Sequence, residues 1–421
     1  MQTISSSFSR FSSFVALFPI LLAACSSEEQ AVQSANDPVL VTTAVAYEGA
    51  RIITGRNEAS IDNGTILVDN GLIIAVGTSA AVDIPVGAER LDLGGATIMP
   101  MMADTHVHLN TDRSGLIQDL RNRVQFGVNA AMSLGMDSDD IVFAVQQETP
   151  PGAARYFTAG RGITRPEPGR TEAPHWVNTP DEAREAVRAE AARGVDIIKI
   201  WVDDRGGQYA KMTPELYGAV IDEAHQNGIR VTAHIFTLAD AKGLLEAGID
   251  AFAHGVRDMD IDDEFVAMVE ARPEVVLVPN MPYRGIPTDY SWLAGFVSAE
   301  QLDNLQSQTA NPLAQEGWGI QARNLDRLNQ AGMRIALGTD GNTPYAAPVE
   351  IEDMVASGMS AMEAIVAATS NSAEFLGMED TGIIAVGRSA DFIVLDANPL
   401  EDITNTRQIR DVYLCGERVD R

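Results

Sequence analysis

The spacing of apolar residues changes twice along the chain. From residue 39 to residue 95, short apolar runs alternate with turn residues. Asp69-Asn70-Gly71 between two runs predicts a tight hairpin, because Asn-Gly supplies the positive φ angles that such a turn requires. Residues 382–421 repeat this pattern. Because neither segment is stable alone, we expect residues 39–95 and 382–421 to pair into a small composite β-sandwich domain built from both ends of the chain.

The middle segment, residues 96–381, alternates short apolar runs with amphipathic helical stretches, which is typical of repeated βα units around a parallel sheet. Eight runs are predicted to be strands: Thr97 to Val107, Val128 to Leu134, Tyr156 to Ile163, Asp196 to Trp201, Ile229 to Ile235, Ala251 to His254, Val275 to Pro279 and Arg334 to Thr339. Three helices are predicted between them: Pro180 to Arg193, Pro214 to Asn227 and Leu238 to Ala247. The predicted fold class is therefore α/β, a (β/α)8 TIM barrel with its active site at the C-terminal ends of the strands. A doubly wound sheet would need a Gly-rich phosphate loop after its first strand, where this chain has histidines.

The first 25 residues differ from the rest. Arg10 is their only charge, and the apolar run from Phe14 to Ala24 is too short to span a bilayer. The ending Leu22-Ala23-Ala24-Cys25 resembles a bacterial lipoprotein signal. We predict a signal peptide over residues 1–25, a lipid anchor on Cys25 and a flexible tether over residues 26–38. The protein would then be exported and anchored to a bacterial membrane facing the periplasm. An ordinary cleaved signal, giving a secreted or periplasmic protein, is the alternative.

Composition excludes one class of partner. The 421 residues include 59 acidic and 30 basic side chains, for a formal net charge of −29. Such a surface repels phosphate backbones and anionic lipid headgroups, so we expect no nucleic acid partner and no membrane contact beyond the lipid anchor. The acids are dispersed, as on a well-solvated surface. The expected partner is a small-molecule substrate, and the sequence is also compatible with a homo-oligomer.

Candidate metal ligands fall at the ends of the predicted barrel strands. His106 and His108 close the first strand, and residues two apart on a strand point to the same face. Such a pair of histidines is weak evidence for a metal site by itself. Other chemistry-bearing residues lie at or near four further strand ends: Lys199, His234, His254 and Asp340. Imidazole and carboxylate groups on rigid strand ends suit Zn²⁺ or a similar divalent ion and leave positions for water.

In this order and on these strands, the six residues resemble the amidohydrolase superfamily, and the flanking β segments resemble its composite sandwich domain. The likeness covers nearly all of the mature chain and is strongest to the imidazolonepropionase-like branch, which includes metal-dependent dipeptidases. It implies two Zn²⁺ ions, one bound by His106, His108 and Asp340. It places the other ion on His234 and His254. A carbamate formed from Lys199 and CO₂ would bridge the two.

The resemblance also implies an activity. The enzyme would cleave an amide-type C–N bond, in a peptide or an N-acyl amino acid, by attack of a metal-bridging hydroxide. Asp340 would act as general base and then as general acid. If Lys199 instead formed an ion pair with Asp203 or Asp204, the site would hold one metal. A mononuclear deaminase or a cyclic-amide or lactone hydrolase would then fit. A non-catalytic ligand-binding lipoprotein is disfavoured because it has no use for a proton shuttle.

Substrate contacts in such barrels come from the loops after the strands. Five residues in these loops are predicted to contact substrate: His175, Arg205, Tyr209, Arg257 and Tyr283. The arginines could bind a substrate carboxylate bidentately or pair with the chain's many acids. Two positions depart from the family pattern, which often has glycine at Met101 and, in dipeptidase-like members, tyrosine at Phe236. Without that hydroxyl, dipeptides are weaker candidates as substrates.

Overall fold

The computed structural model describes residues 43–421. The predicted signal peptide (residues 1–25), its lipid anchor at Cys25 and the predicted tether (residues 26–38) lie outside the described residues. Within residues 43–421 the fold is of the mixed α/β type, with three sheets. No helix in this part of the chain is both long and apolar enough to cross a membrane.

Strands and helices alternate through the middle of the chain, as the apolar pattern predicts. The strands are β1 Val45–Ile52, β2 Ile61–Asp69, β3 Leu72–Thr78, β4 Glu89–Asp92, β5 Thr97–Pro100, β6 Met102–Val107, β7 Val128–Ser133, β8 Arg155–Thr158, β9 Ile163–Thr164, β10 His175–Trp176, β11 Ile198–Val202, β12 Val231–Ile235, β13 Ala251–Ala253, β14 Val276–Val278, β15 Arg334–Ile335, β16 Phe392–Leu395, β17 Ile409–Leu414 and β18 Glu417–Arg418. The α-helices are α1 Arg113–Gln125, α2 Ile141–Glu148, α3 Pro180–Arg193, α4 Pro214–Gln226, α5 Leu238–Ala247, α6 Asp263–Glu270, α7 Ala299–Gln306, α8 Pro312–Gln330, α9 Ala346–Ala356, α10 Ala361–Val366 and α11 Ser372–Phe375. Short 3-10 turns span Ser291–Leu293 and Ile403–Arg407, and a π-helical turn spans Ala367–Asn371.

The two ends of the described chain share one sheet. Its order is β18-β17-β16-β5-β1-β2-β3, with β4 alongside β1. The C-terminal strand β16 pairs antiparallel with β5, which in turn pairs parallel with β1. The predicted hairpin is confirmed: β2 and β3 are antiparallel, and Asn70 and Gly71 between them have φ angles of 49° and 78°. The strand pairing gives one sheet here, and the predicted two-sheet sandwich is not shown.

The prediction of one continuous barrel strand from Thr97 to Val107 is wrong. Thr97–Pro100 is β5 of the composite sheet, and the parallel strand β6 begins only at Met102. The chain changes sheets at Met101, whose amide donates to Asp391 O at 3.1 Å, whereas the Met102 amide donates to Gly127 O at 2.8 Å. Pro100 has no N–H to continue the first ladder, which explains why the strand ends there.

Two parallel sheets form the middle of the fold, β6-β7-β8 and β10-β9-β11-β12-β13-β14-β15. Backbone hydrogen bonds join their edges: Thr105 N donates to Leu337 O, and Asp196 N donates to Thr158 O, both at 2.9 Å. The predicted strand Tyr156 to Ile163 is split into β8 and β9 because the chain turns at Gly160, where φ is 58°. His175, predicted to lie in a loop, pairs in β10 with β9.

The helices predicted from apolar spacing are present. Helices α3 and α5 have the predicted bounds, and α4 ends one residue early at Gln226. Helix α3 begins where the Thr179 side chain accepts from the Glu182 amide and the Glu182 side chain caps Thr179 in return, and it ends at Gly194 with φ of 84°. Val187 of α3, Val220 of α4 and Leu244 of α5 are fully buried in the main core. These helices share that core with strands β11 and β12, which carry Lys199 and His234.

Candidate metal centre

Neighbouring parallel strands bring the predicted ligands to one edge. His106 lies in β6 with His108 just beyond it, and His234 lies in β12. His254 follows β13, and Asp340 lies in the segment after β15. Both of these residues have positive φ angles, 94° and 51°, which non-glycine residues adopt rarely. Backbone held in such a conformation often belongs to a functional site.

The Asp340 carboxylate lies at the centre of three imidazoles. Its Oδ1 is 3.1 Å from His106 Nε2 and 3.0 Å from His108 Nε2, and its Oδ2 is 3.5 Å from His254 Nε2. Candidate ligand atoms of His106, His254 and Asp340 all lie within 4.8 Å of one another. His106 and His254 are buried, whereas the Asp340 side chain is 38% exposed. The group is therefore rigid on one side and open to solvent on the other.

Burial sets the charge of these groups. It lowers the pKa of His106 to about 4, with Lys199 adding to the effect. It also lowers the pKa of His254 well below its usual value, helped by the neighbouring His234. Burial alone would raise the pKa of Asp340, but the imidazoles around it lower the pKa below its usual range. At neutral pH His106 and His254 are therefore neutral and Asp340 is ionised, which are the protonation states that a divalent metal requires.

Asn280 fixes the tautomer of His106. Its amide Oδ1 is 2.9 Å from His106 Nδ1, so Nδ1 carries the proton and donates it, and the lone pair of Nε2 faces Asp340. Sequence reasoning missed Asn280, whose one signal was its place just beyond the end of β14. Asp104 supports the segment that carries Asp340, because its carboxylate accepts hydrogen bonds from Thr339 Oγ1 at 2.7 Å and from Thr339 N at 3.1 Å.

Lys199 is enclosed by protein. It is completely buried in β11, and its Nζ has no hydrogen-bond partner among the described residues. Burial lowers its pKa to about 7; Asp340 opposes this shift, and Arg257 and Arg205 reinforce it. The alternative of an ion pair with Asp203 or Asp204 is therefore not what this structure contains.

His234 faces charged groups. Its Nε2 accepts from Arg205 Nη1 and from Arg257 Nη2, both at 3.1 Å, and lies 3.0 Å from Asp203 Oδ2. Arg205 Nη1 also donates to Asp203 Oδ2 at 2.8 Å, and Arg205 Nε donates to the buried Glu167 at 3.0 Å. His234 is thus held outside the close group of His106, His254 and Asp340, although its ring centroid is 4.6 Å from that of His254. Sequence reasoning missed Glu167, and it considered Asp203 only as a partner of Lys199.

The other predicted substrate residues are engaged elsewhere. His175 Nε2 is 2.7 Å from Oε1 of the buried Glu190. The Tyr209 hydroxyl donates to Pro168 O at 3.3 Å, and the Tyr283 hydroxyl donates to Thr309 O at 3.2 Å. Tyr283 also lines a cavity with Thr339, the residue before Asp340. Of the five predicted substrate residues, Arg205 and Arg257 are the ones that contact a predicted metal ligand.

Parallel strands that end in imidazoles, a carboxylate and an enclosed lysine define an α/β enzyme with a candidate divalent-metal site. The model of the amidohydrolase family matches residues 97–419, and the chain belongs to this family.

Known relatives agree with this assignment. The chain is 25% identical over 440 residues to ochratoxinase of Aspergillus niger, covering 88% of this chain and 84% of that protein. It is 24% identical over 403 residues to imidazolonepropionase of Roseobacter denitrificans, covering 83% and 94%. A solved Bifidobacterium longum structure, described as a candidate prolidase, is 29% identical with a TM-score of 0.74, covering 90% and 95%. The predicted resemblance to the amidohydrolase superfamily and to imidazolonepropionase is confirmed, and these neighbours, the prolidase-like structure included, indicate a hydrolase acting on amide bonds.

Proposed function

We propose that the protein is a metal-dependent hydrolase that cleaves an amide-type C–N bond of a small substrate at the mouth of a (β/α)8 barrel. One observation carries the proposal. With Nδ1 donating to Asn280, the lone pair of His106 Nε2 faces an ionised Asp340 oxygen at 3.1 Å. Two acceptors in contact repel unless a cation lies beside them. Backbone bonds at both sheet edges support the closed barrel.

The residues fit a divalent ion. His106, His108 and Asp340 would hold it together with His254, which the resemblance assigned to the second ion but whose ligand atom lies with those of His106 and Asp340. Zn²⁺ is the first choice for such a donor set. When bound, the ion supplies a Lewis acid that lowers the pKa of water and polarises the scissile carbonyl. Oδ2 of Asp340 takes the proton of the attacking water and passes it to the leaving nitrogen. The C–N bond then breaks with the amine leaving in neutral form.

The proposal extends to a second Zn²⁺ held by His234 and a carbamate of Lys199. Carbamate formation joins Nζ of a neutral amine to CO₂ and releases one proton to solvent. The enclosed, unpartnered Nζ and its pKa of about 7 support this step, since much of the amine is neutral near pH 7. Arg205 and Arg257 would have to release Nε2 of His234 before an ion could bind there.

The substrate is proposed to carry a carboxylate, as a peptide or an N-acyl amino acid does. Arg205 Nη2 and Arg257 Nε are buried without hydrogen-bond partners among the described residues, and both belong to guanidinium groups beside His234. Guanidinium groups bind carboxylates through paired hydrogen bonds. Phe236 is 41% exposed and stacks at 5.3 Å on Arg257, which supports an apolar group next to that carboxylate.

A one-metal enzyme, a deaminase or a cyclic-amide or lactone hydrolase, is the second candidate. The observation in its favour is that His234 bonds to two guanidinium groups, whereas His106, His254 and Asp340 converge without it. Metal content separates the two candidates. About two ions per chain with a carboxylated Lys199 support the bridged site, and one ion with an unmodified lysine supports the alternative.

Export and lipid anchoring stay proposals that rest on Leu22-Ala23-Ala24-Cys25. Expression in a bacterium fed labelled palmitate tests them, with Cys25→Ser as the matched control. Label in the wild-type chain but not in the variant is expected. A cleaved, soluble and unlabelled wild-type chain would support the secretory alternative instead.

The activity itself is tested with N-acyl amino acids, dipeptides, cyclic amides and lactones in the presence of Zn²⁺ and bicarbonate. We expect hydrolysis of N-acyl amino acids, loss of activity after chelation and recovery on adding Zn²⁺. If the metal-loaded protein hydrolyses none of these compounds but binds them, a ligand-binding lipoprotein becomes the better description.

A further inference from the structure

A buried arginine braces the segment that carries Asp340. Arg123 lies in the last turn of α1 and is 1% exposed. Its Nη2 donates to Gly341 O at 3.0 Å, and its Nη1 donates to Thr343 O at 3.2 Å. One guanidinium group therefore bonds both ends of the three-residue segment that directly follows Asp340.

The same segment is tied to the His108 loop. The His108 amide donates to Gly341 O at 3.2 Å, and Val107 and Gly341 form a parallel bridge. Gly341 O thus accepts from Arg123 and from a candidate metal ligand at once. The Asp340 amide in turn donates to His106 O at 2.8 Å. Any shift of Gly341 would move His108 and Asp340 relative to each other.

A second brace from α1 lies beside the first. Oδ2 of Asp119 accepts from Asn342 Nδ2 and from Asn110 Nδ2, both at 2.9 Å, and from the Asn110 amide at 3.0 Å. Asn342 lies between the two carbonyls that Arg123 binds, and Asn110 lies two residues after His108. Helix α1 therefore holds the loops of two candidate ligands through a cation and an anion.

We propose that Arg123 is a positioning residue that holds the Asp340 carboxylate against His106 and His108 in the geometry that binds the metal. This inference rests on the metal site proposed above. Burying a guanidinium group without a carboxylate in contact is costly, so a purely structural helix position would be better served by an apolar side chain. Among the described residues no carboxylate forms an ion pair with Arg123 within 4.0 Å, and Asp104 and Asp119 act on its charge only from a greater distance. Its two backbone carbonyl acceptors instead belong to Gly341 and Thr343, in the segment that follows Asp340.

The test compares Arg123→Met and Arg123→Lys with Arg121→Met, which removes the same charge from an exposed position of the same helix. Zn²⁺ affinity is measured by competition with a chromogenic chelator, and coordination geometry by the visible spectrum of the Co²⁺-loaded protein. For R123M we expect Zn²⁺ affinity to fall about 10-fold or more and the Co²⁺ bands to shift, as happens when groups supporting metal ligands are removed. R123K should recover part of the affinity, since an ammonium can reach one of the two carbonyls, and R121M should match wild type.

The outcomes are separable. If wild type binds neither Zn²⁺ nor Co²⁺ at this site, the proposed function fails. If wild type binds both and folded R123M gives the same affinity and spectrum, the inference about Arg123 is overturned. Should R123M not fold, R123K still removes one of the two bonds that the guanidinium group makes to Gly341 O and Thr343 O. It must then weaken Zn²⁺ affinity in the same direction for the inference to stand, and an unchanged affinity would overturn it.

Discussion

The candidate site has two halves of opposite character. The histidine half consists of His106, His108, His254 and Asp340, in which three imidazoles surround one carboxylate. The arginine half consists of Lys199, Asp203, Arg205, His234 and Arg257, in which two guanidinium groups, the Lys199 amine and one carboxylate surround one imidazole.

The difference lies in what each half lacks. The histidine half has excess lone pairs and needs a cation. The arginine half has unpartnered donors on Lys199, Arg205 and Arg257 and needs an anion, which a carbamate or a substrate carboxylate would supply. A site with both halves suits a reaction in which a metal activates water while guanidinium groups orient an anionic substrate.

Breaking the histidine half should have the largest effect. Asp340→Asn removes both a ligand charge and the proton acceptor, so we expect kcat to fall by about 10²- to 10⁴-fold. Steady-state hydrolysis of the best N-acyl amino acid, at equal zinc loading, measures it. The matched control is Asp396→Asn, whose carboxylate pairs with Arg410 at the surface. If D340N keeps more than a tenth of wild-type kcat, Asp340 is not the proton acceptor of the reaction.

Breaking the arginine half should affect binding more than turnover. Arg205→Gln and Arg257→Gln each remove a charged donor, typically worth about 1.5–3 kcal/mol, so KM for an anionic substrate should rise about 10- to 100-fold. For a neutral ester of the same substrate, the variants and wild type should have the same KM. Arg323→Gln, at an exposed pair with Asp260, serves as the control. If kcat falls and KM stays constant for both variants, these arginines do not bind the carboxylate.

The two halves should also titrate in different pH windows in metal-depleted protein. The pKa of His106 is about 4 in the fold against an ordinary 6.5, so the unfolded chain binds more protons between these values. The unfolding free energy therefore rises with pH through that window, and this contribution to stability is lost as pH falls through it. The pKa of Lys199 is about 7 against 10.5, so its contribution rises with pH between about 7 and 10.5.

Urea unfolding across both windows measures these slopes. Each group contributes up to about 1.4 kcal/mol per pH unit. Lys199→Met should flatten the rise above pH 7. Because the Lys199 charge also lowers the pKa of His106, the variant should narrow the window below pH 6.5 in which stability rises with pH. If wild type and K199M have parallel profiles above pH 7, the lysine is not held neutral by the fold.

The smallest effect is expected outside both halves. His175→Gln loses one bond to Glu190, which keeps its bond from Arg193 at 2.8 Å, so kinetics should change less than about twofold. The unfolding free energy should fall by about 1 kcal/mol, measured with urea. A large rise in KM would instead restore His175 as a substrate residue.

The sequence predicted the site better where strands decide the geometry than where side chains cross the fold. His106, His108, His254 and Asp340 could be placed together because parallel strands end at one edge. Asn280 and Arg123 could not be found this way. Each acts through a contact over more than 170 positions, to His106 and to the Asp340 segment respectively, and neither belongs to a ligand motif.

The same limit applies to the fold. Periodicity predicted helices α3 and α5 to the residue, because caps such as Thr179 and Gly194 mark their ends locally. It missed the sheet change at Met101, because Thr97–Pro100 and Met102–Val107 form one apolar run and only the pairing with β16 and β7 separates them. It also missed β10, whose two residues are too short for any period.

The most direct test of the central claim is a crystal structure of the protein loaded with Zn²⁺ in bicarbonate, with data collected at the zinc absorption edge. The account predicts an anomalous peak in contact with His106 Nε2, His108 Nε2 and a carboxylate oxygen of Asp340. A second peak at His234 with added density on Lys199 Nζ would establish the bridged form. Zinc bound only elsewhere, with the histidine half unchanged, would contradict the account.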